Sequence, residues 1–343
     1  MPTAPNDQAS GVDGGEEALI AEFWAPLAHG YRGSLGLKDD CAIVAVERDE
    51  ELVVTTDGLI EGVHFFAGED PAAVAFKALA VNISDLVAKG ARPFAYTMSV
   101  ALPAFERAWL QAFASGLMDG QREFGCHLIG GDTDRTPGPL SVSITAFGAV
   151  PAGRMVRRET ARPGDHIYVT GTIGDAALGL RMRQDVGAAE RRGLTAARAG
   201  YLEGRFSRPR PRVEMIEAVR ACASASMDIS DGLMKDLDRL CRASGAGASI
   251  EAALVPLSDV ARVLVEGGEA RLEDLMFGGE DYEILAAVRP DQDLEFERRA
   301  VAAGVRATRI GAITAGPIGV MAIDAKGQPM AFTKLGWDHF SQR

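Results

Sequence analysis

The sequence predicts a mixed α/β protein with two domains. Stretches with the alternating pattern of strands succeed stretches with helical periodicity along most of the chain. The 343 residues are enough for two domains of ordinary size, each with its own core. A PAGR turn at 151–154, followed by a basic stretch, marks a boundary near residue 150. We therefore expect a flexible tail over residues 1–16, a first domain over 17–150 and a second over 151–343.

The composition argues against several classes of protein. A net charge of −12 opposes binding to a nucleic-acid backbone, which requires a basic face. No stretch approaches the roughly 18 apolar residues of a membrane-spanning helix. The N-terminal segment lacks the basic region and the apolar run of a signal peptide. The cysteines have no CxxC spacing, so we interpret them as buried bystanders in a reduced, cytoplasmic compartment: Cys41, Cys126, Cys222 and Cys241.

Strand and helix patterns alternate in the first domain. The predicted strands cover residues 52–55, 96–103 and 140–150, and the predicted helices cover residues 71–89 and 108–125. Asp57 stands where the first strand runs into a polar turn, a position at which α/β proteins often place chemistry. Asp85 lies on a partly apolar face of the first helix, where a carboxylate is costly unless it has a partner.

The second domain opens with a predicted strand over residues 166–171, which enters the glycine-rich turn GTIGDAALG. Residues 227–230, MDIS, are predicted as a short strand or loop. They lead to a helix that Ser230 or Asp231 caps and that ends at Gly245.

A three-residue motif, Ile-Ser-Asp, occurs twice in the chain, and we call each copy with its flanking residues an Ile-Ser-Asp word. Residues 82–86 are NISDL and residues 228–232 are DISDG, and GGDT at 130–133 and GGED at 278–281 follow them at similar distances. Either an old duplication or convergence on one chemical task would produce this pattern. The first word lies on a predicted helix body and the second at a helix start, which weakens the duplication hypothesis.

Five aspartates occupy comparable junctions: Asp57, Asp85, Asp132, Asp228 and Asp231. Each alone has an ordinary structural explanation, as an N-cap, a turn former or an Asx turn. Clustered carboxylates repel one another, however, and a hard divalent cation with oxygen ligands is the usual resolution. A ring of aspartates that binds several Mg²⁺ ions would let an acidic protein hold a polyphosphate.

The glycine pairs agree with a polyphosphate site, because glycine lets the backbone approach a ligand where a Cβ would block it. These pairs are Gly130-Gly131 and Gly278-Gly279. The sequence contains no Walker A motif, no protein-kinase motif set, no GxSxG and no GxGxxG. The five histidines lack metal-ligand spacing. Motif matching alone therefore assigns no reaction.

Seven segments, taken in order, resemble those of thiamine-monophosphate kinases: KDDCAIV (38–44), TTDGLIEGVHF (55–65), KALAVNISDLVAKGARP (77–93), IGGDTDR (129–135), RPGDHIYVTGTIGDAALGL (162–180), MDISDGLMKDL (227–237) and GGEDYE (278–283). The resemblance runs from about residue 17 to GWDHF at 336–340. It implies transfer of the γ-phosphoryl group of ATP to thiamine monophosphate. It also implies the aminoimidazole ribonucleotide synthetase-like fold, in which N-terminal domains pair in a homodimer to close a β-barrel.

The resemblance implies a role at each matching position. On this basis we interpret the two Ile-Ser-Asp words as metal clamps that converge from opposite domains. Magnesium ligands are expected at Asp40, Thr55, Thr56, Asp57, Asp85, Asp132, Asp228 and Asp231. ATP contacts are expected at Gly131, Asp132, Arg158 and Ser230, and thiamine monophosphate contacts at His64, Glu280 and Trp337. Asp132 and Arg158 are the expected catalytic residues. An aromatic ring and a carboxylate suit a cationic thiazolium.

Two positions depart from the family or lack a role. Lys38 stands where the family usually has glycine, and it either reaches a phosphate or points to solvent. Asp134 adds an acid beside Asp132 to which the resemblance assigns no function. A phosphate acceptor is already anionic near neutral pH, so we expect direct in-line transfer without a catalytic base.

Other hypotheses remain open. Selenophosphate synthetases need an early reactive Cys or selenocysteine, and the hydrogenase maturation protein of the same fold ends in a functional Cys. This chain has neither feature, since its first cysteine is Cys41 within the KDDCAIV strand. An aminoimidazole ribonucleotide synthetase-like enzyme, a non-catalytic nucleotide or thiamine-phosphate sensor, and a structural protein whose acids are only caps and turns are the alternatives.

Overall fold

The chain forms two compact units in the computed structural model, which describes residues 15–185 and 187–330. One unit contains residues up to Arg48 together with Val54–Asn82 and Pro93–Gly148. The other contains Asp49–Val53, Ile83–Arg92 and the chain from Ala149 onward. The segment with the first Ile-Ser-Asp word therefore belongs to the same unit as the second word. Most of the expected tail, residues 1–14, lies outside the described residues.

Strands and helices alternate along the described chain. The strands are β1 (Glu50–Ile60), β2 (Arg92–Leu102), β3 (His127–Arg135), β4 (Ser141–Pro151), β5 (His166–Thr170), β6 (Ala223–Ile229), β7 (Gly247–Glu251), β8 (Glu283–Val288), β9 (Ala307–Thr314) and β10 (Gly319–Ile323). The α-helices are α1 (Gly15–Leu19), α2 (Pro71–Ala88), α3 (Arg107–Phe124), α4 (Asp175–Gln184), α5 (Ala188–Arg191), α6 (Ala196–Ser207), α7 (Ile216–Cys222), α8 (Leu233–Ser244), α9 (Asp259–Glu266), α10 (Leu272–Met276) and α11 (Asp293–Ala302).

The first unit is built on a mixed sheet. Within residues 15–185 and 187–330 this sheet has four strands in the order β1-β4-β2-β3, and β2 pairs with β3 in parallel. The sheet is open, with β1 and β3 at its edges, so a closed barrel is not formed by the described part of this single chain. The apolar side chains of Leu79, Phe113 and Leu117 are fully buried in the core beneath it.

The second unit contains a larger mixed sheet. Its six strands in the described chain follow the order β10-β7-β9-β5-β8-β6. Strand β5 pairs antiparallel with both β8 and β9, whereas β10 pairs in parallel with β7. Helix α8 packs its apolar stripe, including Leu237 and Leu240, against this sheet. The repeated Asp228 word thus begins on a strand of this sheet and leads into α8.

Strand β1 is longer than the sequence predicted. It continues to Ile60, so Asp57 lies within the strand and not at its exit. The pairing with β4 carries the strand through the polar residues, since the Thr56 hydroxyl donates to the Ile144 carbonyl at 3.1 Å. Beyond the strand, the Glu61 N–H donates to the Leu140 carbonyl at 3.0 Å. Tertiary pairing overrides the turn tendency of Asp-Gly here.

Two other sequence expectations need correction. The KDDCAIV segment is not assigned as a strand, although the Ile43 N–H donates to the Gly33 carbonyl at 2.8 Å. Cys41 in this segment is exposed, whereas Cys126, Cys222 and Cys241 are buried as expected.

Across the described residues, α2 alone is long and apolar enough to cross a membrane, but 83% of it is buried in the fold. That burial is typical of a core helix.

Candidate active site

The two Ile-Ser-Asp words meet in the second unit. The Ser84 hydroxyl of the first word donates a hydrogen bond of 2.8 Å to the Asp228 carboxylate of the second. Both side chains are buried. Helix α2 supplies Ser84 from its last turns, and β6 supplies Asp228, so the short strand predicted for MDIS is confirmed as far as Ile229. The words do come together, but within one compact unit instead of from opposite domains.

Asp228 lies in an environment that opposes its negative charge. Burial raises the pKa of the Asp228 carboxyl well above its ordinary value, and the negative charges of Asp85 and Asp236 raise it further. The Ser84 hydroxyl and the Lys89 ammonium act in the opposite direction without offsetting the burial. An additional cation at this position would stabilise the ionised carboxylate.

Lys89 belongs to the same group, although the sequence did not single it out. It follows α2 directly, and its ammonium donates a hydrogen bond to the carbonyl of Ser226 on β6. Burial and, to a smaller extent, the neighbouring charge of Arg158 lower the pKa of Lys89 to about 8. The signal in the sequence was the i, i+4 spacing of Asp85 and Lys89, which favours an ion pair on a helix.

Asp231 differs from Asp228 because basic side chains already neutralise it. Its carboxylate lies 3.1 Å from the Lys235 ammonium and 2.5 Å from the Arg239 guanidinium. The repulsion expected among the clustered aspartates is therefore already relieved at this position by the protein's own cations. A metal ion at Asp231 would compete with two cations of the protein itself.

The start of α8 is capped differently from the prediction. The N-cap residue is Gly232, and neither Ser230 nor Asp231 caps the helix with its side chain. Instead, the buried Asp236 carboxylate reaches back and accepts the N–H groups of Ser230 and Asp231, at 3.0 and 2.9 Å. Arg239 donates to the other oxygen of Asp236 at 2.8 Å. The sequence does contain a signal for this arrangement, because Asp236 is an acid in the first turn of the helix, where it can interact with unpaired backbone N–H groups.

The GGED segment is interlocked with the second word through its backbone. The Glu280 N–H donates to the Ser230 carbonyl and the Tyr282 N–H to the Ile229 carbonyl, both at 2.8 Å. A Cβ on Gly279 would lie 2.5 Å from the Ser230 carbonyl oxygen, and one on Gly278 would lie 2.3 Å from a neighbouring side chain. Packing of protein against protein by itself requires these glycines, and the approach of a ligand to them stays a prediction.

Asp281 of the same segment binds the glycine-rich turn GTIGDAALG. Its buried carboxylate accepts the N–H of Gly174 at 2.7 Å and that of Ala176 at 3.4 Å, at the start of α4. Burial raises the pKa of the Asp281 carboxyl well above its ordinary value. A side chain of the protein therefore fills the helix N-terminus that a phosphate would otherwise use. Next to it, Glu280 has a left-handed backbone with φ of 76°.

The first unit holds the other expected metal ligands on strands. Thr55, Thr56 and Asp57 lie on β1, and Asp132 lies on β3, so two strands separate these groups in the order of the sheet. The Asp57 N–H donates to the side-chain oxygen of buried Asn82 at 2.9 Å. Asp132 accepts the N–H of the next residue at 2.8 Å and is exposed, as Asp40 is.

Gly131, which precedes Asp132, also packs against protein. Its φ is 152°, and a Cβ there would lie 1.8 Å from the Met98 carbonyl oxygen on β2. Met98 is also the residue that lies opposite Gly131 in the parallel pairing of β2 with β3. The Cβ of Gly130, by contrast, would make only ordinary contact with the Thr97 methyl group at 3.8 Å. Only the second glycine of this pair is sterically required.

The three residues expected at the substrate are unequally described. His64 follows β1, and its Nδ1 accepts the Ile60 N–H at 3.0 Å. The buried Lys77 ammonium donates to the His64 carbonyl at 3.0 Å and so ties this turn to α2. Trp337 lies outside the described residues. No sequence pattern indicated a buried role for Lys77, because a lysine in a helix is usually exposed.

The donor chemistry of these residues fits a hard cation. All expected ligands offer oxygen atoms, and the Lys89 charge does not offset the burial of Asp228 beside Asp85, which favours a divalent metal there. In the portion of the chain that the structure describes, however, no group of three or more His, Cys, Asp or Glu side chains is arranged to hold a metal ion. The observed arrangement is a carboxylate pair.

Comparisons with known proteins bear on this site. Residues 38–150 match the family described as AIR synthase related protein, N-terminal domain, and residues 162–324 match AIR synthase related protein, C-terminal domain. Thiamine-monophosphate kinase of Escherichia coli (strain K12) is 40% identical over 333 residues, which cover 95% of this chain and 98% of that protein. The chain belongs to the thiamine-monophosphate kinase family.

Solved structures of thiamine-monophosphate kinases agree with this assignment. The enzyme from Stenotrophomonas maltophilia K279a is 38% identical with a TM-score of 0.76, covering 83% of this chain and 89% of that one. AaThiL, solved as a complex with AMPPCP and TMP, is 30% identical with a TM-score of 0.74, covering 86% of this chain and 89% of that one. The expected two-domain AIR synthase-like fold with mixed sheets is confirmed.

Proposed function

We propose that this chain transfers the γ-phosphoryl group of ATP to thiamine monophosphate, with magnesium, and so forms thiamine diphosphate and ADP. The observation that carries the proposal is the meeting of the two Ile-Ser-Asp words, where Ser84 bonds Asp228 beside Asp85, in a chain of the thiamine-monophosphate kinase family. AaThiL, which was solved with an ATP analogue and TMP, supports the same pair of substrates for this chain.

Each site residue has a proposed role. Gly131, Asp132, Arg158 and Ser230 contact ATP, and His64, Glu280 and Trp337 contact thiamine monophosphate. Asp132 and Arg158 are the catalytic residues. The negative Glu280 and the aromatic Trp337 suit the cationic thiazolium ring. The hydrogen bonds that tie Glu280 to Ser230, and the His64 turn to Lys77, support fixed positions for the first two substrate contacts.

Magnesium is part of the proposal. The residues that would hold it are Asp40, Thr55, Thr56, Asp57, Asp85, Asp132, Asp228 and Asp231, all through oxygen atoms. When bound, magnesium neutralises phosphate charge and so lowers the repulsion between the two anionic substrates. The raised pKa of the Asp228 carboxyl supports a cation at the Asp85–Asp228 pair. The charge of Asp231 is already offset by Lys235 and Arg239, so a metal ion would stabilise this carboxylate less.

The chemistry needs no general base. A phosphate monoester is largely dianionic at neutral pH, so an acceptor oxygen attacks the γ-phosphorus without losing a proton first. The new oxygen–phosphorus bond forms as the bond to the leaving ADP breaks, and no covalent enzyme intermediate is involved. The guanidinium of Arg158 supplies planar, charged donors for phosphate oxygens as the charge moves towards ADP. Rate enhancement then comes from positioning and charge stabilisation.

We further propose that the chain works as a cytoplasmic homodimer. The first unit leaves β1 at the edge of an open sheet, and this strand exposes the apolar residues Leu52, Val54 and Ile60. Edge strands with exposed apolar side chains favour pairing with another chain. A second copy is the partner that the family resemblance implies, with closure of a β-barrel between the two copies.

The decisive experiment is a chromatographic assay of purified protein with ATP and thiamine monophosphate. We expect thiamine diphosphate and ADP in equal amounts, and loss of both products when magnesium is chelated. Product formation that is unaffected by chelation would remove magnesium from the proposal. If magnesium-ATP binds but neither product forms, a sensor or an aminoimidazole ribonucleotide synthetase-like enzyme becomes the better assignment. Formylglycinamidine ribonucleotide is then the next substrate to test.

A further inference from the structure

A cavity of about 230 Å³ lies in the second unit, and cationic side chains line much of it. The lining residues are Lys89, Met155, Arg157, Arg158 and Glu159. The Arg157 guanidinium lies 3.2 Å from the Glu159 carboxylate, so these two charges offset each other. Lys89 and Arg158 remain as the two cations of the cavity, which makes it suited to an anion.

Lys89 lies between opposite charges. The charges of Asp85 and Asp228 favour its ammonium form, whereas the charge of Arg158, which also lines the cavity, disfavours it. Burial and the Arg158 charge together lower the pKa of Lys89 to about 8. Two cations held close together are costly in a partly buried site, and an anion between them removes that cost. The cavity therefore has an electrostatic reason to bind one.

The hydrogen bonding of Lys89 leaves capacity for a ligand. In the described part of the chain, one hydrogen bond holds the ammonium, and its acceptor is the Ser226 carbonyl on β6. An ammonium group has three donors. The bond to Ser226 fixes the position of the Lys89 nitrogen beside the cavity, so that a second donor can be directed at an oxygen of a bound phosphate.

We propose that Lys89 is a second phosphate-binding cation of the nucleotide site, which contacts a phosphate oxygen of ATP in this cavity together with Arg158. The proposal deepens the proposed function and rests on it for the identity of the nucleotide. Lysine suits this task because its ammonium is a compact point charge that can donate hydrogen bonds to phosphate oxygens in several directions. Lys89 is also one helical turn from Asp85, so a single phosphate group could lie near both the cation and the carboxylate pair.

The test measures binding of the β,γ-methylene analogue of ATP by calorimetry in the presence of magnesium. The Lys89→Met variant should bind it roughly tenfold to a hundredfold more weakly, because a charge-assisted hydrogen bond is lost. Lys89→Arg should bind within about threefold of the wild type, since it keeps a charged donor. Thiamine monophosphate binding, measured separately, should not change. Equal affinity of Lys89→Met and wild type for the analogue would overturn the proposal.

Two arms separate a phosphate contact from a structural counter-charge. If Lys89 only neutralises Asp85 and Asp228, a large excess of magnesium should restore analogue binding to Lys89→Met, and that result would also overturn the proposal. The matched control is Arg92→Met, which removes an exposed cation that pairs with Glu50 and does not line the cavity. It should bind the analogue like the wild type.

A second variant covers the case in which Lys89→Met does not fold. If Lys89→Met does not fold, Lys89→Gln and competition by inorganic pyrophosphate against the analogue replace it, with the same expected loss of affinity. Because the readout is binding, a wild type that makes no thiamine diphosphate would contradict the proposed function while leaving the role of Lys89 testable. A wild type that makes product, with Lys89→Gln that binds normally, would contradict only the inference.

Discussion

Single carboxylates of the site differ in what already neutralises them. Asp231 has the cations Lys235 and Arg239 within 3.1 Å. Asp228 lies beside Asp85 with a neutral hydroxyl donor, and the charge of Lys89 does not offset its burial. The larger deficit of positive charge is therefore at Asp228. Sequence patterns cannot distinguish the two, because both belong to the same five residues, DISDG. The difference arises from which side chains the fold brings beside each carboxylate.

Asp132 tests the metal and phosphate role at the level of one residue. The Asp132→Asn variant should lose turnover by roughly a hundredfold or more, since electrostatic stabilisation of the transferred group is lost. Its fold should persist, because Asn can still accept the N–H of Thr133 that Asp132 accepts at 2.8 Å. The measurement is thiamine diphosphate formation at saturating substrates, together with thermal unfolding.

The neighbouring Asp134 provides the matched control for Asp132. Asp134 is exposed on the same strand, β3, two residues further on, and the resemblance assigns it no role. Asp134→Asn should therefore keep turnover close to that of the wild type. Equal and large losses in both variants would point to the general negative charge of this strand, and near-normal activity of Asp132→Asn would remove its catalytic assignment.

The sequence predicted only part of the contacts of the site. The five aspartates were recognisable from their junctions, and the structure brings Asp85 and Asp228 together. Lys89 and Asp236 escaped notice, because each acts through a partner that is distant in sequence or on the backbone. The ammonium of Lys89 reaches Ser226, which is 137 residues away. Pairings of that kind are set by tertiary packing, which no local pattern encodes.

At the scale of elements, the second word and GGED behave as one interlocked unit. Gly279→Ala should destabilise the chain by roughly 1–3 kcal/mol, because its Cβ would lie 2.5 Å from the Ser230 carbonyl oxygen and overpack this contact. Denaturant unfolding measures the effect. Gly200→Ala in α6 is the control, since nothing lies within 4 Å of its Cβ, and it should be neutral or slightly stabilising. Similar stability of both variants would contradict the interlock.

The start of α8 predicts a pH dependence of stability. Burial raises the pKa of the Asp236 carboxyl to about 6 in the folded state, above the ordinary value of 3.8. Between these two values the folded state binds a proton that the unfolded state has released. Stability from this group is therefore fully present below pH 3.8 and is lost as the pH rises through 6.

The Asp236→Asn variant isolates this contribution. From pH 3.5 to 7, the free energy of unfolding of the wild type should fall relative to the variant by on the order of 3 kcal/mol, at about 1.4 kcal/mol per pKa unit. Other titrating groups are common to both proteins and cancel in this comparison. Denaturant unfolding at the two pH values gives the difference. A relative increase for the wild type would mean that Arg239 lowers the pKa of Asp236 more than burial raises it.

Elements were predictable where hydrophobic periodicity was long and regular. Helix α2 was expected over residues 71–89 and is observed over Pro71–Ala88. Short polar elements were harder: β1 runs through Asp57-Gly58, and the cap of α8 comes from Asp236 within the helix. In both cases a hydrogen bond to a distant strand or to a backbone N–H outweighs the local turn or cap preference.

At the scale of the molecule, the sequence supported two domains, but not their discontinuous composition. The helix α2 contributes residues to both compact units, with the change after Asn82. A reading along the chain places a boundary at one point, near residue 150, and cannot anticipate that residues 83–92 join the second unit. That exchange is what brings Ser84, Asp85 and Lys89 to Asp228.

The open edge of the first sheet carries the last prediction, that the chain is a dimer. Val54 on β1 exposes 51% of its surface, which is unusual for a β-branched apolar residue on an edge strand unless a partner covers it. Val54→Glu should convert a dimer of the wild type to a monomer, because it places a charge in the interface. Light scattering after size exclusion measures this change. Leu294→Glu, which alters an 83% exposed residue on α11, should remain dimeric. A wild type that is monomeric would contradict the prediction. Dissociation of the dimer by Leu294→Glu but not by Val54→Glu would show that β1 lies outside the interface between the two copies.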